Sequence, residues 1–545
     1  MAGSVESAAS GNPVDDYRER PLCRPYRPPA PPALWASMAQ ALAAGVLSAQ
    51  ALPPRHWWWL LPFTLGWLLW LLNEHLKSMP TAAARARRAA ALLFAFGLGW
   101  HALGVWWITE AFQVDAARYA LMAPFAVGLL AAAMAAFTAA AGAVAGLLWN
   151  TGSAQRACLW RPALLAVLMT VADAARGMPL AFGGFAWNPF AVVLDPETLL
   201  PLMQGARLFG IWGFSALLLW LCMLPGQTLY CLRWQQAPRA APAMLALGLA
   251  LLAGLWTWGS MRVNAIATAP PPADAPWLVI VQPSVPQREK WKPENRNRIF
   301  QDLLALSREG MARARKRCER QGGCNAPVIV IWPESAVPFL LDASPRALAM
   351  IADMLPDNAW LFTGALRQID QSRRRPDGPR LHNSILAIDS NGQVRLRYDK
   401  RRLVPFGEYV PLASVLRPLG VRKLVPFRHG FLPGRNLGPH HLPGLPPFEA
   451  FICYEIIYHD RPARGANETR WLLNVTNDAW FGGSAGPWQH LQQARYHAIA
   501  RGLPLARAAN DGISVVMNAA GRDMARLGLF KRGVIVERLP LAATD

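Results

Sequence analysis

Apolar residues follow two rhythms along this chain. Up to about residue 260 they run in long blocks, at about 33–52, 56–73, 89–109, 120–148, 160–175, 208–231 and 241–260. Each block is near the ~20 residues a helix needs to cross a bilayer. The pattern therefore predicts about seven transmembrane helices, with Asp173 interrupting the fifth. Past residue 270 the blocks shorten to β-branched runs separated by amphipathic stretches. Strands are expected at Trp277–Gln282, Val328–Trp332, Trp360–Thr363, Ser384–Ile388, Val394–Tyr398, Ala450–Cys453, Leu472–Thr476, Ile513–Met517 and Gly533–Arg538. Helices are expected at about 294–317, 345–354 and 487–501. Asp389-Ser390-Asn391-Gly392 predicts a hairpin turn, since Asn-Gly readily takes positive φ. Strands alternating with helices, plus hairpins, indicate a mixed α and β layered domain rather than a bundle or barrel. The expected organisation is a disordered tail at 1–32, a helical bundle at 33–262, a linker from Ala269 to Ala275, and a layered domain at 273–540.

Charge refines this picture. The formal net charge is +21, but no basic and aromatic cluster of the nucleic-acid-binding kind is present. Basic residues of the first half fall between the apolar blocks. The tail (Arg18, Arg20, Arg24, Arg27) and alternate gaps (Lys77, Arg85, Arg87, Arg88; Arg156, Arg161; Arg233, Arg239) hold twelve of them. The opposite gaps hold four, Arg55, Arg118, Arg176 and Arg207. That asymmetry predicts a cytoplasmic amino terminus, and seven crossings then place the layered domain outside the cytoplasm. The tail lacks the short apolar core and cleavage site of a signal peptide. The loop from Arg176 to Arg207, with Phe182-Gly-Gly-Phe-Ala-Trp-Asn-Pro189, is expected to form a lipid-facing rim or an interfacial loop with an aromatic belt. Overall, 53% apolar residues and 24 Trp exclude an ordinary soluble enzyme. Seven scattered cysteines exclude a disulfide scaffold. Cys318 and Cys324 flank five residues; a bridge between them, or its absence, is left open, and Cys453 is unpaired.

The chemistry gathers at strand ends. Glu334 follows one apolar run, Lys400 another, and Cys453 ends a third. A thiol is a nucleophile once a base takes its proton, and a fixed cation stabilises the oxyanion that its attack creates. Those three residues supply nucleophile, base and cation. No metal-ligand spacing, dinucleotide motif or phosphate-binding glycine loop is seen, so no cofactor is expected.

The flanks of these residues carry a resemblance. Val281-Gln-Pro-Ser-Val-Pro-Gln-Arg-Glu-Lys-Trp291, Trp332-Pro-Glu-Ser-Ala-Val-Pro338, Tyr398-Asp-Lys-Arg-Arg-Leu-Val-Pro-Phe-Gly-Glu-Tyr-Val-Pro-Leu412, Ile452-Cys-Tyr-Glu455, and Asn477-Asp-Ala-Trp-Phe-Gly482 with Gly486-Pro-Trp-Gln-His490 resemble bacterial apolipoprotein N-acyltransferase, in the family's order. The resemblance covers about 33–540. It implies an N-terminal transmembrane bundle carrying a nitrilase-like αββα sandwich, with a catalytic triad of Glu334, Lys400 and Cys453. It further implies that Glu408 helps balance charge, and that Glu455 and Tyr454 beside the nucleophile support substrate positioning. Trp291 matches a tryptophan near the acyl-chain entrance, and Asn383 a polar residue near the site. Glu408 and Glu455 are also readable as buried salt-bridge partners of Lys400.

The implied reaction moves an acyl chain from a phospholipid to Cys453, then to the α-amine of a lipoprotein's S-diacylglyceryl cysteine. Phospholipid, diacylated apolipoprotein and bilayer are the implied partners, at the bacterial inner membrane with a periplasmic catalytic domain. Apolar stretches at Val404-Pro-Phe406, Val410-Pro-Leu412, Val415-Leu416 and Leu424-Val-Pro-Phe427 are expected to seal the site against water. The family carries a further transmembrane helix where this chain stops at Asp545, so a domain tethered at one end is expected. A membrane-tethered amidase and a non-catalytic lipid-binding relative are the competing readings.

Overall fold

A computed structural model describes residues 33–149, 154–178, 184–321, 324–369, 380–410, 414, 431–436, 438–459 and 466–543. The expected tail, and most of the segment expected to seal the site, lie outside the described residues.

Among the described residues, seven helices of 15 residues or more occupy the first half: α1 Leu34–Ser48, α2 Leu61–Leu76, α3 Ala82–Gly104, α4 Ala123–Leu148, α5 Ala154–Gly177, α6 Gly205–Arg233 and α7 Ala240–Thr268. They follow the seven apolar blocks, but not all are equally able to span. Four regions, Ala120–Leu148, Gln155–Gly177, Gly205–Arg233 and Ala240–Thr268, are long and apolar enough to cross a membrane. The bent pair Ala82–Gly104 and Trp106–Gln113 raises this to five. At 15 and 16 residues, α1 and α2 reach only about 23 Å at ~1.5 Å per residue, short of a ~30 Å hydrocarbon core. Asp173 does not interrupt α5; it pairs within the helix with Arg176 at 3.0 Å. Large apolar side chains such as Phe63, Phe125 and Leu129 are exposed, as lipid-facing residues are. The helices pack closely through small residues: a Cβ on Gly226 of α6 would stand 2.4 Å from the Cα of Gly66 in α2.

The second half contains two sheets. Strands β1 Trp277–Gln282, β2 Val328–Trp332, β3 Ala359–Gln368, β4 Leu381–Ile388, β5 Val394–Asp399 and β11 Gly533–Arg538 form the first, in the order β11-β1-β2-β3-β4-β5. Strands β6 Phe448–Ile452, β7 Trp471–Thr476, β8 Leu505–Ala509, β9 Ser514–Met517 and β10 Asp523–Leu527 form the second, in the order β10-β9-β8-β7-β6. Each sheet has a parallel core, β1-β2-β3 and β6-β7-β8, flanked by antiparallel strands. The hairpin joins β4 to β5, with Gly392 at φ +72° and the Asp389 carboxylate accepting the N–H groups of Asn391 and Gln393.

Alternation along the strands divides the burial. One face of the first sheet (Val279, Val330, Leu361) packs on helices α8 Arg296–Arg320 and α9 Pro345–Met354. Its other face (Ile280, Ile331, Phe362) meets Phe448, Trp471 and Ala506 of the second sheet. Helix α10, Gly486–Arg501, covers the far side of the second sheet and lies against the helical half. The layers run α, β, β, α, as the resemblance implied. The fold brings the sulfurs of Cys318 and Cys324 together, and also those of Cys158 and Cys231, a pair that the sequence reading did not consider.

The loop before α6 departs from expectation. Among its described residues, Ala186 and Trp187 are buried beneath the layered domain, in one cluster with Trp107, Tyr454 and Ile457. They are not a lipid-facing rim. The hydroxyls of Tyr454 and Tyr458 both donate to the Gly184 carbonyl at 3.1 Å. Gln492 donates to Leu194 O at 2.6 Å, Tyr496 to Ala191 O at 2.5 Å, and Trp107 to Gln489 at 2.9 Å. Apolar aromatic surface next to the bilayer is used here to seat one half of the chain on the other.

Candidate active site

Each candidate residue sits just past a strand, where the ladder fixes the backbone and the chain turns away. After β2, Pro333 turns the chain so that Glu334 lies against β3. Gly364 of β3 accepts from Ala336 N at 2.8 Å and donates to Pro333 O at 3.2 Å. Only glycine permits this approach, since a Cβ there would stand 2.5 Å from Glu334 Cα. Ser335 consequently takes φ +46°. After β5, Lys400 is held by its N–H to Asn383 O at 2.8 Å. After β6, Cys453 takes φ +50°, a conformation that costs an L-residue roughly 1–2 kcal/mol. Its carbonyl lies 3.1 Å from His490 Nε2.

The side chains converge on one ammonium. Lys400 Nζ stands 2.9 Å from Glu408 Oε1 and 3.5 Å from Glu334 Oε1. Asn383 Nδ2 bridges the same two carboxylates, at 2.7 Å to Glu334 and 3.2 Å to Glu408. The remaining oxygens are held by main chain: Glu334 Oε2 accepts from Asn477 N at 2.9 Å, and Glu408 Oε2 from Val404 N at 2.8 Å. All of these side chains are buried. Burial alone would weaken the charge on Lys400, but the fields of Glu408 and Glu334 overcome it and raise its pKa. Burial, reinforced by Glu334 and only partly opposed by Lys400, pushes the Cys453 thiol up. Burial thus favours the neutral thiol over the thiolate.

Glu455 is placed differently from Glu408. Its carboxylate accepts from Ile452 N (2.8 Å), Arg401 N (2.7 Å), Arg402 N (3.2 Å) and the Tyr398 hydroxyl (2.9 Å). It therefore ties the chain after Lys400 to the strand end before Cys453. Burial raises its pKa, against those main-chain donors and Arg401. Of the two residues read as salt-bridge partners of Lys400, Glu408 makes that contact. Tyr454 points into the junction with the helical half, toward Gly184. Trp291 packs at the edge of a separate apolar cluster of Leu366, Leu381 and Phe431.

Sequence reasoning assigned no role to several residues that complete the site. Asp478 and Arg507, both fully buried, pair at 2.7 Å. Asp478 also accepts from Thr476 at 2.8 Å and lies 2.9 Å from His490 Nδ1, so a chain of polar groups runs from β8 to the Cys453 carbonyl. The resemblance had marked Asp478 and His490 within its quoted motifs without assigning them a role; nothing marked Arg507. Among the described residues, no group of three or more His, Cys, Asp or Glu is placed to hold a metal ion. An open cleft of about 350 Å³ lies elsewhere, beside Trp277, Arg317, Arg320 and Arg538, and shares no residue with this site.

Comparison with known proteins gives two family matches. Residues 280–545 match the carbon-nitrogen hydrolase family, and residues 44–224 match the apolipoprotein N-acyltransferase N-terminal domain. The chain is 38% identical over 516 residues to the apolipoprotein N-acyltransferase of Rhodopseudomonas palustris, covering 93% of this chain and 90% of that one. It is 36% identical over 506 residues to that of Agrobacterium fabrum, with the same coverage of 93% and 90%. Among solved structures, a carbon-nitrogen hydrolase from Helicobacter pylori is 15% identical, with a TM-score of 0.35, over 49% of this chain and 89% of that one.

Proposed function

This chain belongs to the apolipoprotein N-acyltransferase family, and on that premise we propose that it completes lipoprotein maturation by acyl transfer through a Cys453 thioester. The observation that carries the reading is the buried Lys400 ammonium, shared by two carboxylates beside a protonated thiol. The chain is a membrane protein with a nitrilase-superfamily domain. The twelve-to-four charge asymmetry supports our reading that this domain lies on the periplasmic face of the inner membrane.

In the first half-reaction, the Cys453 sulfur attacks an acyl ester carbonyl of a phospholipid while Glu334 takes the thiol proton. Lys400 faces the negative charge that develops on the carbonyl oxygen. The tetrahedral adduct collapses, the C–O bond breaks, and Glu334 returns the proton to the departing lysophospholipid alkoxide. In the second, the α-amine of an S-diacylglyceryl cysteine attacks the thioester. Glu334 takes the amine proton and passes it to the Cys453 sulfur as the C–S bond breaks. The product is an amide, and the kinetics are ping-pong. Trp291 and its apolar cluster serve the acyl chain, while Glu455 fixes the relative position of Lys400 and Cys453.

Intact-protein mass spectrometry after incubation with phospholipid tests this. A hydroxylamine-labile acyl adduct is expected on the native protein and absent from Cys453→Ala, with transfer to a diacylated lipopeptide on addition. Lipopeptide acylation that persists in Cys453→Ala overturns the mechanism. Hydrolysis of a small amide with no acyl adduct from lipid favours a tethered amidase instead.

A further inference from the structure

A charge count at the site leaves one carboxylate unmatched. Lys400 serves both Glu334 and Glu408. The Asp478 charge is met by Arg507, and that of Glu455 by Arg401 and three main-chain N–H groups. Two carboxylates around one ammonium in a dry interior carry a net negative charge.

A second ammonium stands behind Glu334. Lys290 ends the short turn Gln287–Lys290, is 1% exposed, and donates from Nζ to the Glu334 carbonyl oxygen at 3.1 Å. Its turn is bound into the site, because Gln287 Oε1 accepts from Asn477 Nδ2 at 2.8 Å, and Asn477 N holds Glu334 Oε2. Among the described charged groups, Glu334 is the one whose field acts on Lys290. We propose that Lys290 is a positioning residue and the second cation of the site. Its ammonium offsets the charge left when Lys400 is shared, and so keeps Glu334 ionised and able to accept the Cys453 proton. Burial without a directly bonded carboxylate is costly for a lysine. Desolvation pushes its pKa down to about 8, with Glu334 opposing. The inference rests on the assignment of Glu334 as the base in the reading above.

The test uses the full-length protein in detergent, with iodoacetamide as the probe. The alkylation rate of Cys453, located by peptide mass spectrometry to separate it from Cys222, is followed from about pH 5 to pH 9. In Lys290→Met the acid limb is expected to move up by about one pH unit, a roughly tenfold slower reaction at a fixed pH on that limb. The rates should converge with the native protein at high pH, and Lys290→Arg should restore the limb. A loss that is uniform across pH, or no change, overturns the proposal. If Lys290→Met does not fold, Lys290→Arg decides: an unmoved limb supports the proposal and a displaced one overturns it. A shifted limb in a protein that forms no adduct with phospholipid would sink the acyltransferase reading and leave this one standing. An adduct with no shift does the reverse.

Discussion

Asp478→Asn removes one charge of a fully buried ion pair while preserving its shape. At 2.7 Å the attraction between Asp478 and Arg507 is about 6 kcal/mol at an effective dielectric of ~20. Stripping water from two such ions costs several kcal/mol each, so the intact pair contributes little net stability. The single substitution behaves otherwise. It keeps the cost of burying Arg507 and deletes the attraction that offset it, for an expected loss of about 3–5 kcal/mol. Membrane enzymes often unfold irreversibly, so the assay is the rate of thermal inactivation in detergent. A loss of 3 kcal/mol expressed in unfolding raises that rate roughly hundredfold. The double variant Asp478→Asn/Arg507→Met removes both charges and should recover most of the stability. The acyl-adduct rate should fall by ~10²-fold in the single variant, because His490 loses the partner that steadies it beneath the Cys453 carbonyl. Burial alone would raise the Asp478 pKa, but Arg507 and His490 hold it well below 3.8. Its stabilising share is therefore complete above pH 3.8 and lost as the pH falls further, so native and variant proteins should converge in acid. A single-variant loss under about 1 kcal/mol, or a double variant as unstable as the two singles summed, would refute this reasoning.

Glu408→Gln takes from Lys400 its nearest carboxylate, and the adduct rate should drop by at least about tenfold. The raised Lys400 pKa contributes stability that is complete below pH 10.5 and lost as the pH climbs past it. The variant forfeits part of that share, so its deficit in stability should be full below about pH 10.5 and shrink as the pH climbs further, as read by inactivation between about pH 8 and pH 11. Gly364→Ala sets a Cβ within 2.6 Å of Glu334 Cα, Pro333 O and Ser335 N, all main-chain atoms that cannot swing away. Overpacking of this kind costs about 1–3 kcal/mol. The adduct rate should fall ~10²-fold in a protein whose circular dichroism is unchanged; a rate near native would show that the turn tolerates displacement.

How much of this was legible depends on what each residue does to its own neighbourhood in sequence. The apolar blocks and the β-branched runs announced both halves, because burial along a helix or strand imposes a local period. Glu334, Lys400 and Cys453 were legible because each directly follows such a run. Strand β8 was not. Leu505-Ala-Arg-Ala-Ala509 is alanine-rich and carries a charge; it is strand because β7 and β9 ladder it on both sides and Arg507 finds Asp478 just past β7. Lys290 likewise looks like a surface lysine until the fold buries it behind Glu334. The loop at Gly184–Trp187 misled for a related reason: aromatic residues next to a bilayer look the same whether they face lipid or another domain. The lengths of α1 and α2 were overread because their apolar blocks continue into turns at Ala49–Ala51 and Trp58–Leu60.

The bonds that cross from the helical half into Tyr454, Tyr458, Gln489, Gln492 and Tyr496 act as a keel. Two of the five hang directly from the loop that begins with Cys453. The position of Cys453 relative to the helical half is therefore set by a mating surface, and the segment at 269–275 is only a leash. Under the proposed acyl transfer, a thiol held at fixed altitude would meet ester groups that all lie in one plane. Donor selection would then be a matter of depth: the protein would reach whichever lipid carries its ester at that level, and a thicker or thinner bilayer would retune the choice without altering any residue that touches the substrate.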